Sequence, residues 1–493
     1  LRVLSAARLE RREDRIAAAH MQARALLALD RPDDVAALLQ RAGKEAKGAE
    51  ETATTTMLLG AALTRTSRRE QGDALLDEAA AAAQKSAPKL AADVAYYRAL
   101  SRCGTQRLAE AEEIIDAALP AATDVARARL LQLLGWIDVR RENYGAAAHE
   151  FTAALDELNK AKNADVKGRA RILTALACIA AETIDLRLGR LVRREYEKSA
   201  WPDDTRTERS RVLEHLSWLS LLEGDVARAW DERQSALTLS ADTPSHASAL
   251  IEAAIVAGIV GDRFSEARYL ELAGSLLLRG DHANAGVERR IAALAYVGTV
   301  PAANAETARK VLTLYERARP KGAGGDLSAF EGDRRLEAYE AHARGKLAVA
   351  EGATQQGVAE LERALEAWTR LGYRLRIAIT GNVLRTVTGD RRFGQIALDA
   401  LRNTPNAWLR ESLERRTGED DPLGQLTPAE RRVLTELCKG RKAREIAATF
   451  DRSFNTINNH TRAIFSAFGV RSRAALVAEC ARLGILEDMK TLR

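Results

Sequence analysis

The sequence predicts an all-α chain: a long array of helical hairpins followed by a small head of four short helices. Three observations predict this. Ala, Leu, Arg and Glu dominate and aromatics make up only 5%, a mix that favours helix over sheet. A pattern of small residues recurs at fixed steps along most of the chain. The positive charge is also concentrated at one end. Residues Gly424 to Arg493 hold 13 Lys and Arg against 7 Asp and Glu, whereas the preceding 423 residues hold 62 of each. A basic module on a neutral body is the charge layout of a nucleic-acid-binding head joined to a body with another task.

The repeating pattern assigns residues 1–416 to the array. A small residue is followed 12 positions later by a second, then 4 later by a large apolar residue and 3 later by another small one. Gly60, Gly72, Leu76 and Ala79 fit, as do Ala99, Ala111, Ile115 and Ala118. So do Gly135, Ala147, Phe151 and Ala154, and later Gly345, Gly357, Leu361 and Ala364. Looser copies begin at Ala23, Ala180 and Ser217, the last with Arg233 where an apolar residue is expected. The first two small residues let two helices approach closely, the large one fills the groove beside them, and the last lets the next hairpin stack. Turns fall between the helices at Asp30-Arg31-Pro32, Glu142-Asn143-Tyr144, Glu223-Gly224-Asp225 and Glu351-Gly352.

These steps resemble those of tetratricopeptide repeats, so the body resembles a degenerate tetratricopeptide array over roughly residues 15 to 415. Consecutive copies lie 36 to 45 residues apart. That exceeds the usual repeat of about 34 and implies longer helices or looser turns. At this spacing about nine or ten hairpins fill the length. Arg319 to Leu327 reads as a Gly-rich loop between hairpins, and residues 417–425, acidic with Pro and Gly, read as a linker.

Other classes find little support. Cys103, Cys178, Cys438 and Cys480 are far apart in sequence, in apolar surroundings, and read as small core residues in a reducing compartment. The histidines show no metal-ligand spacing, and no phosphate-binding Gly-x-x-x-x-Gly-Lys motif or nucleophile elbow is present. The sequence therefore predicts no enzyme, cofactor or metal. The longest apolar run, Ala253 to Gly261, is about half a membrane span. The first residues are charged and helix-like rather than a secretory signal, so a soluble cytoplasmic chain is expected. Leu1 in place of Met leaves an upstream segment open.

Residues 426–486 form the head, and residues 487–493 a tail. Thr427-Pro428-Ala429-Glu430 is a capping box with Pro at the first helical position, and Lys439-Gly440 stops the helix. A second helix runs from about Lys442 to Phe450, with a tight turn at Asp451-Arg452. Ser453 caps a third helix that ends at Gly469, and Ser472 caps a fourth. On the third helix, Ile457, Thr461, Ile464 and Phe468 share a core face. The opposite face shows Asn455, Asn458, Asn459, Arg462 and Ser466. Asn matches the N6 and N7 edge of adenine, and Arg matches O6 and N7 of guanine. Lys442, Arg444, Arg452, Arg471 and Arg473 lie near helix ends, where phosphate contacts arise, as do the capping hydroxyls of Ser453 and Ser472 and the first-turn Thr456. His460 lies beside the core face and reads as a structural histidine.

This segment resembles the LuxR-type helix-turn-helix family of bacterial transcription regulators. The match runs through Leu426-Thr427-Pro428, Glu430, Val433-Leu434, Gly440, Glu445-Ile446-Ala447, Ser453, Thr456-Ile457, His460, Ile464 and Gly469 to Arg473. The resemblance implies a third helix in the major groove and a fourth that can form a homodimer contact. It places Asn458, Asn459 and Arg462 at base-facing positions and Thr456, Arg444 and Arg471 at backbone positions. Asn458 and Ala467 stand where the family usually has basic residues, and Asp451 where it commonly has Gly. The loss of two cations implies weaker nonspecific binding and a flatter salt slope. The chain thus reads as a transcription regulator that binds double-stranded DNA, with a protein, peptide or small ligand on the concave face of the array. The competing reading is a protein-interaction scaffold whose head is vestigial, which the two missing cations favour.

Overall fold

The computed structural model describes residues 11–28, 31–105, 107–161, 165–243, 245–260, 262–279, 287–299, 305–317, 334–402, 404 and 426–482. The Gly-rich segment Arg319 to Leu327, the linker at 417–425 and the tail at 487–493 lie outside these residues. Among the described residues the body is ten helical hairpins and contains no strand.

The first five hairpins pair α1 (Arg12–Ala28) with α2 (Pro32–Ala42), α3 (Ala49–Leu63) with α4 (Arg69–Ser86), and α5 (Ala91–Gly104) with α6 (Leu108–Ala118). They continue with α7 (Asp124–Arg140) and α8 (Tyr144–Lys160), then α9 (Val166–Thr183) and α10 (Leu186–Lys198). The next three pair α11 (Arg206–Glu223) with α12 (Val226–Ser240), α13 (His246–Val260) with α14 (Arg263–Arg279), and α15 (Val287–Thr299) with α16 (Ala305–Arg317). The last two join α17 (Arg334–Ala350) to α18 (Thr354–Leu371) and α19 (Arg374–Thr388) to α20 (Arg391–Ala400).

The spacing that exceeds the usual repeat is taken up by the helices. Helices α4, α9, α11 and α18 each run 18 residues. Turns inside the hairpins stay short. Asn143, Asp185 and Asp225 each cap the following helix by accepting a backbone N–H. Gly224 and Gly352 take the left-handed conformation at φ 86° and 87°. Glu142 and Ile184 take it at φ 63° and 57° without being glycine.

The small-residue steps mark where paired helices touch. A methyl group added at Gly345 would stand 2.9 Å from the Gly357 carbonyl oxygen and 2.7 Å from Leu361. Gly60 and Gly72 repeat this, with the Gly72 and Gly60 carbonyls at 2.9 Å and 2.8 Å from the added atoms. Gly135 instead makes room for the Phe151 ring. Arg233, the misfit in the pattern, is fully buried at 0% exposure. Its guanidinium donates to the Glu214 carbonyl and to the Ser217 hydroxyl, so polar satisfaction replaces apolar packing at that step.

The array does not remain open. Its fourth and fifth hairpins contact its ninth and tenth. Arg376 on α19 donates twice to Glu182 on α9, with both Oε1 contacts under 3 Å, and the two side chains are 14% and 4% exposed. Arg374 donates to the Thr183 carbonyl, Arg334 pairs with Glu142 at 3.1 Å, and the rings of Tyr144 and Tyr373 lie 5.0 Å apart. Tyr373 stacks on Trp368, which meets the edge of Tyr339, and Arg376 lies over Tyr339. One apolar cluster therefore runs from Ala128 to Val256 and resumes at Ala338 to Leu401.

Removing one member of the closing pair leaves a buried charge. Glu182→Ala is expected to cost about 3–5 kcal/mol, whereas Glu182→Leu combined with Arg376→Met recovers most of the loss. Chemical denaturation of the three proteins checks this. Burial pushes the Glu214 carboxyl up to about 7, against the pull of Arg233. Ser210 donates to it at 3.0 Å, and Glu252 and Arg211 also act on it. A folded pKa above the unfolded one gives stability that is complete below the ordinary carboxylate value and is lost as pH rises through about 7. The parent should lose stability between roughly pH 5 and roughly pH 8 through this group, by up to about 3 kcal/mol, and Glu214→Gln should flatten that dependence in denaturation curves.

Candidate nucleic-acid interface

The head consists of α21 (Pro428–Cys438), α22 (Ala443–Thr449), α23 (Phe454–Ala467) and α24 (Arg473–Arg482). Its helix starts are built as their sequences imply. Thr427 and Glu430 cap α21 reciprocally: the Thr427 amide donates to Glu430 Oε2 at 2.8 Å, and the Glu430 amide donates to the Thr427 hydroxyl at 3.3 Å. These Thr427 contacts hold the Glu430 carboxyl below its ordinary range. The Lys442 amide donates to Glu445 at 2.7 Å at the start of α22. Ser453 accepts from the Thr456 amide at 3.0 Å, and Ser472 from the Ala475 amide at 3.2 Å. The tight turn before α23 is made by Asp451 in the left-handed conformation, at φ 49°.

The core seats α23 on one side. Ile457, Ile464 and Phe468 are buried with Leu426, Val433, Leu434, Leu437, Ile446 and Ala447, while Thr461 sits half-buried and turns its hydroxyl to the Ile457 carbonyl. The opposite side is exposed at Asn455, Asn459, Arg462 and Ser466, which follow one another at helical spacing. Asn458 is half-buried on the flank of this stripe. Among the described residues, no hydrogen bond or ion pair engages the side chains of Asn455, Asn458, Asn459 or Arg462. Their donors and acceptors remain open to an external partner.

The cations around the stripe divide into two groups. Lys442, Arg452 and Arg471 are exposed at the rims of α22, α23 and α24. Arg444 and Arg473 are exposed but already engaged. Arg444 lies 5.8 Å over the ring of Phe454, which is itself 45% exposed at the start of α23. Arg473 donates to the Gly440 carbonyl at 2.8 Å, tying α24 to the turn after α21. Sequence reading placed Arg473 among phosphate contacts and missed this bond. It also missed Glu436, a buried carboxylate that holds Lys439 at 2.7 Å and Arg441 at 3.1 Å. His460 stands 3.6 Å from Glu430, so it links α23 to the capping box, as expected of a structural histidine.

On α24, Leu476 is fully buried in the head, whereas Ala475 and Ala478 are exposed. The four cysteines were expected to be separate core residues. Cys103 and Cys480 are buried, whereas Cys178 and Cys438 are only half-buried. Cys438 and Cys480 are neighbours in the head core, on α21 and α24.

Residues 424–480 match the family description "Bacterial regulatory proteins, luxR family". The head is a LuxR-family domain. A probable HTH-type transcriptional regulator GfsR of Streptomyces halstedii is 39% identical over 59 residues, which make up 12% of this chain and 24% of that protein. The chain thus spans about a quarter of the length of the curated relative it matches. The match of this LuxR-family domain points to a regulator rather than to a catalytic family. Superposition on solved structures returns helical proteins at low similarity. The crystal structure of the yeast Tom70 covers 83% of this chain and 96% of its own, at 11% identity and a TM-score of 0.24. The structure of Naa15/Naa10 bound to HypK-THB covers 97% and 81%, at 15% identity and a TM-score of 0.24. Superpositions this loose say nothing about the task of the body. Among the described residues, no helix is long and apolar enough to cross a membrane.

Ser453→Ala should cost about 1 kcal/mol by removing the cap of α23. Asp451→Gly should cost nothing or stabilise, because glycine takes positive φ without steric penalty. Thermal unfolding of the isolated transition of the head checks both.

Proposed function

We propose that this protein is a DNA-binding transcription regulator in which α23 reads base edges in the major groove and the helical array receives the regulatory signal. The observation that carries this reading is the open stripe of amides and a guanidinium on α23, opposite a face locked into a LuxR-family core. An α-helix fits the major groove, where Asn pairs with adenine and Arg with guanine through two hydrogen bonds each. Asn455, Asn459 and Arg462 occupy the centre of the stripe, and Asn458 reaches from its flank.

Lys442, Arg444, Arg452, Arg471 and Arg473 serve phosphates along the groove edges, together with the hydroxyls of Ser453, Thr456 and Ser472. Arg444 does so from its place over Phe454, and Arg473 with part of its donor set already used at Gly440. Two heads meeting along the exposed Ala475 and Ala478 of α24 would read a two-fold symmetric site.

Asn458→Ala, Asn459→Ala and Arg462→Ala together should remove sequence preference, at about 1–3 kcal/mol for each good contact, while leaving nonspecific binding. Lys442→Ala and Arg471→Ala should instead weaken all sequences alike and lower the salt slope by about one each. Binding of the full chain to promoter-sized duplexes from its own locus, measured across a salt series, checks both. Absence of salt-dependent binding overturns the proposal.

A further inference from the structure

Phe454 opens α23 and is 45% exposed. Among the described residues it is the large apolar side chain of the head that stands exposed. It belongs neither to the head core nor to the side chains packed against that core. A lone exposed apolar residue is ordinary on a protein surface. The setting of this one is not. Exposed Arg452 precedes it by two residues, exposed Asn455 follows it directly, and Asn459 and Arg462 lie further along the same helix. A bare aromatic ring thus leads a helix whose open side is otherwise amide and guanidinium.

Helical spacing groups Phe454 with the polar side chains. Phe454, Asn458 and Arg462 form a row at steps of four, beside the row that runs through Asn455, Asn459 and Ser466. Side chains of a helix tilt toward its N-terminus, so the first residue of α23 leads its row. Ser453 fixes that first turn by accepting the Thr456 amide at 3.0 Å. A second helix steadies the ring: the Arg444 guanidinium on α22 lies 5.8 Å from its centroid, within the range of cation–π attraction. A side chain already held in place loses little freedom when it binds.

The chemistry of the major groove narrows what such a ring can meet. Adenine, guanine and cytosine present hydrogen-bond donors and acceptors there, whereas thymine adds a C5-methyl group. A phenyl ring laid on a polar base edge would desolvate that edge and return no hydrogen bond. Laid on the methyl group, it takes apolar surface out of water on both sides. Four residues of helix rise about 6 Å. Stacked base pairs lie about 3.4 Å apart, so Phe454 and Asn458 address positions within about two base pairs of each other. A single ring among amides and cations does not make the contiguous apolar patch of a protein-docking face.

We propose that Phe454 is a specificity-determining residue that reads the C5-methyl group of thymine, beside the position met by Asn458, with Arg444 holding the ring. The inference rests on the reading that α23 enters the major groove. It adds to that reading a requirement for an A·T pair at the leading end of the helix.

The test uses the full chain and the duplex it selects from a random-sequence pool. Each thymine of that duplex is replaced in turn by deoxyuridine, which removes the methyl group and keeps the pairing edge. For at least one thymine the parent should bind about fourfold more weakly, the weight of one methyl group taken out of water. Phe454→Ala should bind the thymine duplex more weakly than the parent and respond to neither base at that position, so the two changes are not additive. Phe454 lies outside the head core, so this variant should melt with the parent. A selected duplex without thymine overturns the inference. So does a duplex in which no replacement weakens the parent, or a loss that persists in Phe454→Ala. Sequence-selective binding with any of these results removes the methyl contact alone. Absence of salt-dependent binding to every duplex removes the regulator reading and the contact with it.

Discussion

The architecture depends on how closely two helices of a hairpin can approach. At Gly60 and Gly72, and again at Gly345 and Gly357, the backbone carbonyl of one helix occupies the space that a side chain would need on the other. That contact fixes the crossing of each pair, and the crossing fixes how the next hairpin stacks. The stacking accumulates until the tenth hairpin returns to the fifth, where Glu182 and Arg376 meet. A local constraint on volume thereby determines which distant charges share one interior.

The parts of the fold carried by local spacing were legible in the sequence. Small residues separated by a helix and a turn announce a hairpin, because both helices must present them at the same level. The head was legible for a similar reason: Thr427, Gly440, Ser453, Gly469 and Ser472 are start and stop signals, and each capping residue performs that role through its own backbone neighbours. The exposed stripe of α23 follows from helical periodicity once Ile457 and Ile464 are assigned to the core.

What depended on tertiary meeting was not legible. Glu182 and Arg376 are ordinary charged residues in sequence, and nothing near either one names the other. Arg233 could be identified as a misfit in an apolar register, but its burial among Glu214, Ser217 and Glu252 required the positions of three helices. Arg473 carries the right charge for a phosphate contact, and its bond to the Gly440 carbonyl appears only when α24 packs against the end of α21.

The return of the tenth hairpin to the fifth also bears on how the body reaches its native state. An open solenoid can fold from any point by nearest-neighbour addition and can fray from its ends. Here the terminal pair of helices is fastened to a hairpin far upstream, so its release requires breaking contacts between segments remote in sequence. Such contacts raise contact order and slow assembly, because a long loop must close before they contribute. They also make the second half of the array a single cooperative unit rather than a row of independently melting repeats.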